Sequence, residues 1–282
     1  MQKAIWIAGI LICALAVLCL PAFAQGQDQV ITLQQEVNGY TGCSDTYLES
    51  ATSSDYKNFG IDNDPSDWTK YRNLEVRNYS NNNWVSLVKF DLSSLPRNWN
   101  ITSASFSMYA YDDIYMGPSS WLDVAIYPLK KSWTEGVGPH TGDNRTGAAW
   151  YYQYAAPDST QWYNGGARGD NQDRDHDYDG VQRVYGDPST WVTWGGTDVT
   201  QTVRDWYSGA RANDGWQIDF TGSSDSDNGL YFHNSEYSIS PADYMWRPKL
   251  DLTYQVVPEP ATMFSLVPEL AGLAFAIRRR RA

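Results

Sequence analysis

The chain has 282 residues, of which 15% are aromatic, and a formal net charge of −12. A disordered chain is poor in aromatic residues, so this composition argues against disorder. Phosphate binding needs a basic surface, so the acidic balance argues against nucleic acid as a partner. The length permits one large all-β domain, and aromatic residues set among Gly, Asn, Asp and Ser favour one.

Residues 1–24 have the parts of an export signal in the usual order. Lys3 supplies the positive start, an apolar stretch runs from Ile5 to Leu20, and Ala22 and Ala24 form a small-residue cleavage site. Cleavage by signal peptidase is therefore expected after Ala24. The alternative is a permanent N-terminal membrane anchor.

Removal of this signal takes away Cys13 and Cys19 and leaves Cys43 alone. An exported protein with one cysteine has no internal disulfide framework, so its stability must come from a packed core. Cys43 is then either a small buried apolar residue or a thiol for intermolecular pairing.

The body of the chain, from Asp28 to Tyr254, shows period-two alternation. The segment TSASFSMYAY, residues 102–111, places small and apolar side chains on one face of a strand and Tyr109 and Tyr111 on the other. Ten segments show this pattern clearly or weakly: ITLQQEV, DTYLES, LEVRNY, VSLVKFDL, TSASFSMYAY, WLDVAIYPL, TWVTW, DGWQIDF, GLYFHNSEY and PKLDLTY. Turn residues separate them, so we predict an all-β fold, a jelly-roll-type β-sandwich of two antiparallel sheets.

One segment, DVTQTVRDWYSG, has a helical period. It predicts a short helix with Asp198 as its N-cap and Gly209 as its stop. The apolar side chains predicted to share one face are Val199, Val203, Trp206 and Tyr207. No linker or repeat precedes Val256, so residues 28–255 are predicted to form one domain.

The acidic segment DNQDRDHDYDG resembles the start of a calcium-binding loop. Asp175, Asp177 and Asp179, followed by Gly180, have the D-x-D-x-D-G spacing whose alternate carboxylates converge on a hard cation. The twelfth position is Gly186 instead of Glu, which excludes an EF-hand. Ca²⁺ is the one cofactor expected, and the residues proposed to complete an irregular site are Asp170, Asp173 and Asp187. The alternative is a solvated acidic loop.

The aromatic surplus favours sugar binding. A pyranose has an apolar face that packs on a flat ring, and its hydroxyl groups bind polar side chains. Tyr109 and Tyr111 lie on the polar face of their strand, with Tyr115 and Trp121 just beyond it, and these four form the predicted binding platform. The alternative is ordinary cross-strand aromatic pairing.

The remaining motifs are interpreted as structural. Trp133 is expected in the core, and Glu135 is expected to accept hydrogen bonds from backbone amides. Arg168-Gly169-Asp170 is interpreted as a chance tripeptide. The sequence contains neither G-x-S-x-G nor H-E-x-x-H, so no catalytic residue is assigned.

The C-terminal segment, residues 257–282, ends the chain with an apolar run and basic residues. Pro258, Glu259 and Pro260 precede an apolar stretch over 261–277, near the lower length limit for a membrane span. The positive stop that follows consists of Arg278, Arg279, Arg280 and Arg281. This order predicts a device that holds the chain at the membrane. The alternative is an amphipathic helix packed on the body.

These parts resemble the PEP-CTERM sorting signal. The resemblance implies recognition and cleavage by an exosortase-type membrane protease in a Gram-negative bacterium. The precursor would lie transiently in the inner membrane, and the mature protein would reach the cell surface or the exopolysaccharide matrix.

The body resembles a DNRLRE domain, classed with carbohydrate-binding module family 96 and related to disaggregatase. The segments that carry the resemblance are YRNLEVRNYSNNNWVSLVKFDLSSLP, ITSASFSMYAY, KKSWTEG, DVTQTVRDWYSGARANDGWQI and LYFHNSEYSISPADYMWRPKLDLTY. The resemblance implies a β-sandwich that binds polysaccharide and has no catalysis of its own.

The expected function is therefore that of a secreted protein that binds extracellular polysaccharide and is not an enzyme. Two alternatives stay open at this point. One is a structural or adhesion protein of the cell surface without a defined sugar site. The other is a hydrolase or lyase acting on the matrix, which would need two close carboxylates in a cleft.

Overall fold

The structure is a computed structural model that describes residues 27–50, 73–79, 82–136, 147–153, 160–237 and 243–257. The predicted export signal and the sorting motif with its apolar run and arginines lie outside these residues. Within them, no helix has both the length and the apolar character needed to cross a membrane.

The described part of the chain is mostly β, with eleven strands in one antiparallel sheet and a single α-helix. The strands are β1 (Gln29–Gln34), β2 (Cys43–Glu49), β3 (Asn73–Tyr79), β4 (Asn82–Phe90), β5 (Trp99–Ile114), β6 (Trp121–Pro128), β7 (Gly180–Tyr185), β8 (Thr190–Gly195), β9 (Trp216–Ser223), β10 (Gly229–His233) and β11 (Lys249–Val256). The helix α1 spans Thr197–Ser208, and two 3-10 turns span Gly165–Ala167 and Asp243–Trp246.

All ten predicted strand segments form strands, because alternation marks each of them. The strand order is β1-β11-β5-β10-β3-β4-β9-β6-β7, with β2 paired to β4 and β8 paired to β5. The strand β7 was not predicted. Three successive residues, Val181, Gln182 and Arg183, are all exposed, so β7 lacks the apolar alternation that marks the other strands.

The sheet curls so that side chains from different strands meet in one core. On β5, the predicted inner residues Ala104, Phe106, Met108 and Ala110 are all buried. The Phe106 ring stacks between Trp194 of β8, at a centroid distance of 5.4 Å, and Trp216 of β9, at 5.2 Å. These three rings, the aromatic stack, are fully buried. Burial of such large apolar surfaces is the main stabilising contribution to the fold.

The helix α1 closes the core beside the aromatic stack. Its predicted apolar face is buried as expected, and the Trp206 ring lies 4.4 Å from the Trp216 ring. Gly209 adopts the left-handed conformation that ends the helix, as predicted.

The prediction that Asp198 is the N-cap of this helix was wrong. The N-cap is Gly196, whose φ of 106° turns the chain from β8 directly into the first helical turn. Asp198 lies inside that turn, where its negative charge favours the helix dipole. Thr200 accepts a hydrogen bond from the Ala104 N–H (3.1 Å), which ties α1 to β5.

Contacts divide the described residues into two compact units, one of residues 27–29, 98–100 and 254–257, the other of the described residues within 30–97 and 101–253. In the described part of the first, the Trp99 ring stacks on Tyr254 at 3.6 Å. The Tyr254 hydroxyl donates a hydrogen bond to Gln29 (2.8 Å). The second unit holds the aromatic stack and every residue of the candidate site described below.

Two glycines provide a matched test of the packing between β4 and β9. Gly215 and Gly209 have nearly the same φ, 78° and 77°, so alanine at either pays the left-handed penalty of about 1–2 kcal/mol. A Cβ at Gly209 meets nothing within 4 Å, whereas one at Gly215 meets the Val88 carbonyl oxygen and lies 2.8 Å from the Lys89 Cβ. We expect Gly215→Ala to lower the free energy of unfolding, measured by urea denaturation, by about 2 kcal/mol more than Gly209→Ala. Equal losses in the two variants would contradict this packing.

Candidate functional site

Four connections between successive strands lie at one edge of the molecule: β3–β4, β5–β6, β7–β8 and β9–β10. Of these, the strands β3 and β4 pair with each other as a hairpin, and the other three connections join strands that are not neighbours in the sheet. We call this edge the hairpin end. Backbone hydrogen bonds join its neighbouring turns: the Gly186 N–H donates to the Ser120 carbonyl (3.1 Å) and the Ser224 N–H to the Trp121 carbonyl (2.9 Å). The β5–β6 turn therefore contacts the β7–β8 turn, and the start of β6 contacts the β9–β10 turn.

The Asp113 carboxylate connects two of these turns. One oxygen accepts the Met116 N–H (2.9 Å), and the other accepts the Asp187 N–H (2.6 Å). Tyr115 and Asp187 have φ values of 57° and 56°. Such values are uncommon for residues other than glycine and persist only where the surroundings hold them. This Asp113 bridge therefore holds both turns in fixed conformations.

The hairpin end presents exposed aromatic rings. Tyr115 is 78% exposed and Tyr185 is 54% exposed. Trp121 lies directly opposite Tyr185 in the β6–β7 pair and is half-buried. The Arg183 guanidinium lies 3.8 Å from the Trp121 ring and binds Asp123 through two hydrogen bonds of 2.7 and 2.8 Å. These contacts fix the Trp121 ring in place.

Tyr115 is also part of a cluster around Arg77. The Arg77 guanidinium lies 4.4 Å from the Tyr79 ring, 4.8 Å from Trp84 and 5.3 Å from Tyr115. Its partner carboxylate is Glu75, at 3.9 Å. Burial raises the pKa of Glu75 to about 8. Arg77 thus makes cation–π contacts with all three rings.

A cavity of about 380 Å³ lies beside the β7–β8 turn, lined by residues 182–193. Tyr185, Asp187 and Trp191 are among its lining side chains, together with hydroxyl and amide groups. An open cavity lined by aromatic rings and a few polar groups is suited to a small polar ligand with an apolar face. This cavity was not predicted from the sequence, although the two aromatic residues that flank the turn residues Gly-Asp-Pro-Ser were an available signal.

Tyr109 and Tyr111, also predicted for the platform, lie in a cluster of stacked rings on the outer face of β5. Tyr109 lies 5.5 Å from Trp191, its neighbour across the strands, and 4.3 Å from Trp246. Tyr111 stacks on His233 at 4.3 Å. Both are half-buried, and other rings lie on their faces. Cross-strand pairing therefore describes these two, whereas Tyr115 and Trp121 lie at the hairpin end.

The acidic loop uses two of its three predicted calcium ligands in other contacts. Asp175 accepts a hydrogen bond from Arg211 (2.5 Å), and Asp179 accepts one from the Trp216 ring N–H (2.8 Å). Burial raises the pKa of Asp179 to about 6, and the Trp216 hydrogen bond opposes this rise. Asp177 is exposed. The calcium site stays a prediction.

Asp170, Asp173 and Asp187, proposed to complete that site, lie in different surroundings. Asp173 is fully buried and accepts three backbone N–H groups of its own loop. Asp170 pairs with Arg174 at 3.1 Å. Asp187 belongs to the hairpin end.

The arginine of the tripeptide Arg168-Gly169-Asp170 is not available for binding to a receptor. Arg168 donates two hydrogen bonds, of 2.9 and 2.6 Å, to the buried Asp219 carboxylate. Arg174 donates a third, of 3.0 Å, to the same group. The arginine that a tripeptide-binding receptor would need is thus engaged inside the protein.

Three carboxylates converge at the other end of the sheet, and sequence reasoning did not group them. Oxygens of Asp45, Glu135 and Glu236, the carboxylate triad, lie within 4.8 Å of one another. Glu135 accepts the Asp45 N–H (2.7 Å), which confirms its predicted role, and Asp45 accepts the Ser235 N–H (2.7 Å). Trp133 nearby is 4% exposed, which confirms it as a core residue.

Burial dominates the electrostatics of the triad. It raises the pKa of Glu135 to about 8, and repulsion from Glu236 adds to the rise. Burial also raises the pKa of Asp45, of Glu236 and of the neighbouring Cys43 thiol. At this spacing the three carboxylates could instead hold a metal ion through oxygen ligands. Among the described residues, Asp175, Asp177 and Asp179 do not approach one another this closely.

Comparison with known proteins leaves this geometry to be interpreted on its own. No protein family model matches the chain, and no curated protein is similar to it.

The triad makes stability depend on pH. Glu135 has a pKa near 4.5 when solvated and about 8 in the fold, so the folded state keeps a proton that the unfolded chain loses. We expect the free energy of unfolding, measured in chelator, to fall as the pH rises from about 4.5 to about 8. Glu135→Gln, which keeps the oxygen that accepts the Asp45 N–H, should remove part of this slope. Glu75→Gln is the comparison variant outside the triad. Because burial also raises the pKa of Glu75 to about 8, this substitution should remove a separate part of the same pH slope. A stability that rises over this range would contradict the assignment.

Proposed function

We propose that this chain is an exported surface or matrix protein that binds extracellular polysaccharide and does not catalyse its conversion. The observation that carries the proposal is the exposure of the Tyr115 and Tyr185 rings on turns held by the Asp113 bridge. Because the backbone of these turns is already held, it loses little conformational entropy when a sugar packs on the rings.

The polar groups beside these rings fit the same ligand. The cavity at the β7–β8 turn offers Gln182, Asp187 and Thr190 within reach of the same surface as Tyr185. Hydroxyl groups of a sugar need such donors and acceptors, because buried polar groups without partners weaken binding. The combination of flat rings and adjacent polar side chains favours a polysaccharide over an apolar ligand.

We propose the jelly-roll-type sandwich as the finer description of the fold. The packing of Phe106 from β5 against Trp216 from β9 supports it, because strands that are not neighbours in the sheet face each other across a common core.

The proposed location rests on the two ends of the sequence. The order of charged, apolar and small residues over 1–24 supports export, and the Pro-Glu-Pro motif, apolar run and arginines over 257–282 support exosortase-type sorting. The proposed host is therefore a Gram-negative bacterium, and the proposed processing partners are signal peptidase and an exosortase-type protease.

The proposal is favoured over adhesion through the Arg-Gly-Asp tripeptide because Arg168 is engaged by Asp219. It is favoured over hydrolysis because the closely spaced carboxylates of the triad accept backbone N–H groups, and Asp45 is 2% exposed. A hydrolytic carboxylate pair must face the substrate.

Removal of the exposed rings should weaken binding. We expect Tyr115→Ala and Tyr185→Ala each to reduce the affinity of the purified full-length chain for its polysaccharide about tenfold, since a ring contact of this kind contributes about 1–2 kcal/mol. Affinity electrophoresis through gels that contain neutral, cationic or anionic polysaccharides measures the loss and identifies the ligand.

Tyr163→Ala is the matched control, because Tyr163 is 69% exposed but lies in the loop held by Asp173. It should migrate as the parent chain does. No retardation in any gel, or equal losses in all three variants, would reject the proposed site.

The sorting signal predicts a processing defect. Replacing Pro258 and Glu259 with alanine should leave the precursor in the inner membrane, because the protease would no longer recognise it. Immunoblotting of membrane and culture fractions measures this accumulation. Normal release of the variant would rule out this signal while leaving the sugar-binding proposal in place.

A further inference from the structure

We infer that the bound polysaccharide carries free amino groups and that the Asp187 carboxylate receives one of them. The inference rests on the proposed function and specifies its ligand. It follows from the position of Asp187, from the contacts of the cations around it and from the charge of the hairpin end.

Asp187 is placed to contact a ligand. It is exposed, lines the cavity beside Tyr185, and is held by the hydrogen bond from its backbone N–H to Asp113. Within the described part of the chain, no hydrogen bond or ion pair engages its carboxylate, in contrast to Asp113 and Asp123 at the same end. The geometry fixes the backbone of Asp187 and leaves its charge available.

The arginine side chains described at this end already have carboxylate and aromatic partners within the protein. Arg183 is bound by both oxygens of Asp123 and lies against Trp121. Arg77 lies among three rings beside Glu75. An anionic sugar would have to compete with Asp123 and Glu75 for these two cations.

The exposed charges favour a cationic ligand. Asp112, Asp187 and Asp225 are exposed at the hairpin end, and the whole chain has a net charge of −12. The electrostatic field of these negative charges attracts positive ligands and repels negative ones. An ammonium group on a sugar ring that packs on Tyr185 can donate a charge-assisted hydrogen bond to Asp187, which is stronger than one from a hydroxyl.

The test compares two oligosaccharides of equal length, a glucosamine oligomer with free amino groups and its fully N-acetylated form. Titration calorimetry at about pH 5.5, where free amino groups are charged, measures both affinities for the full-length chain. Asp187→Asn removes the charge, and Asn tolerates the left-handed conformation. We expect this variant to weaken binding of the amino oligomer about fivefold and to leave binding of the acetylated oligomer unchanged.

Asp225→Asn is the matched control, because Asp225 is an exposed carboxylate of the β9–β10 turn that does not line the cavity. It should change neither affinity by more than about twofold. High salt should abolish the difference between the parent chain and Asp187→Asn, because salt screens exposed charges.

The outcomes separate the inference from the proposed function. Equal binding of both oligomers, or an Asp187→Asn variant that binds the amino oligomer as the parent does, would overturn the inference and leave polysaccharide binding intact. Preference for an anionic polymer would also overturn it. Binding to no polysaccharide of any charge would overturn both.

Discussion

The structure depends on the contact of the Phe106 ring with Trp194 on one side and Trp216 on the other. These rings come from β5, β8 and β9, and Trp206 adds α1 to the same group. Flat rings at these separations exclude water and fix the distance between the strands that carry them. Because Cys43 is the one cysteine of the described residues, this packing has no disulfide to assist it. The curl of the sheet follows from it.

The two ends of the sheet use carboxylates in opposite ways. At the triad, burial removes Asp45, Glu135 and Glu236 from water and favours their protonated forms. At the hairpin end, the Asp187 carboxylate is exposed to water. One end therefore couples the fold to pH, and the other carries the proposed binding surface.

Local pattern predicted the strands and the helix because alternation and helical period report burial directly. It missed β7, in which three successive residues are exposed, and it placed the helix start at Asp198 because a side-chain cap is the commoner signal. The sequence pointed to Tyr115 and Trp121 at the turn after β5, but the Asp113 bridge could not be predicted. It joins residues 74 positions apart, and nothing local indicates that their turns meet. The triad was missed for the same reason.

The Asp113 bridge also limits how this surface can diverge. The β5–β6 and β7–β8 turns lie outside the aromatic stack, so their residues can change without loss of the core. They cannot change independently, because one carboxylate sets the backbone of both. A change in the proposed ligand preference would therefore require paired exchange of these two turns, and an engineer who grafts one turn must graft the other with it.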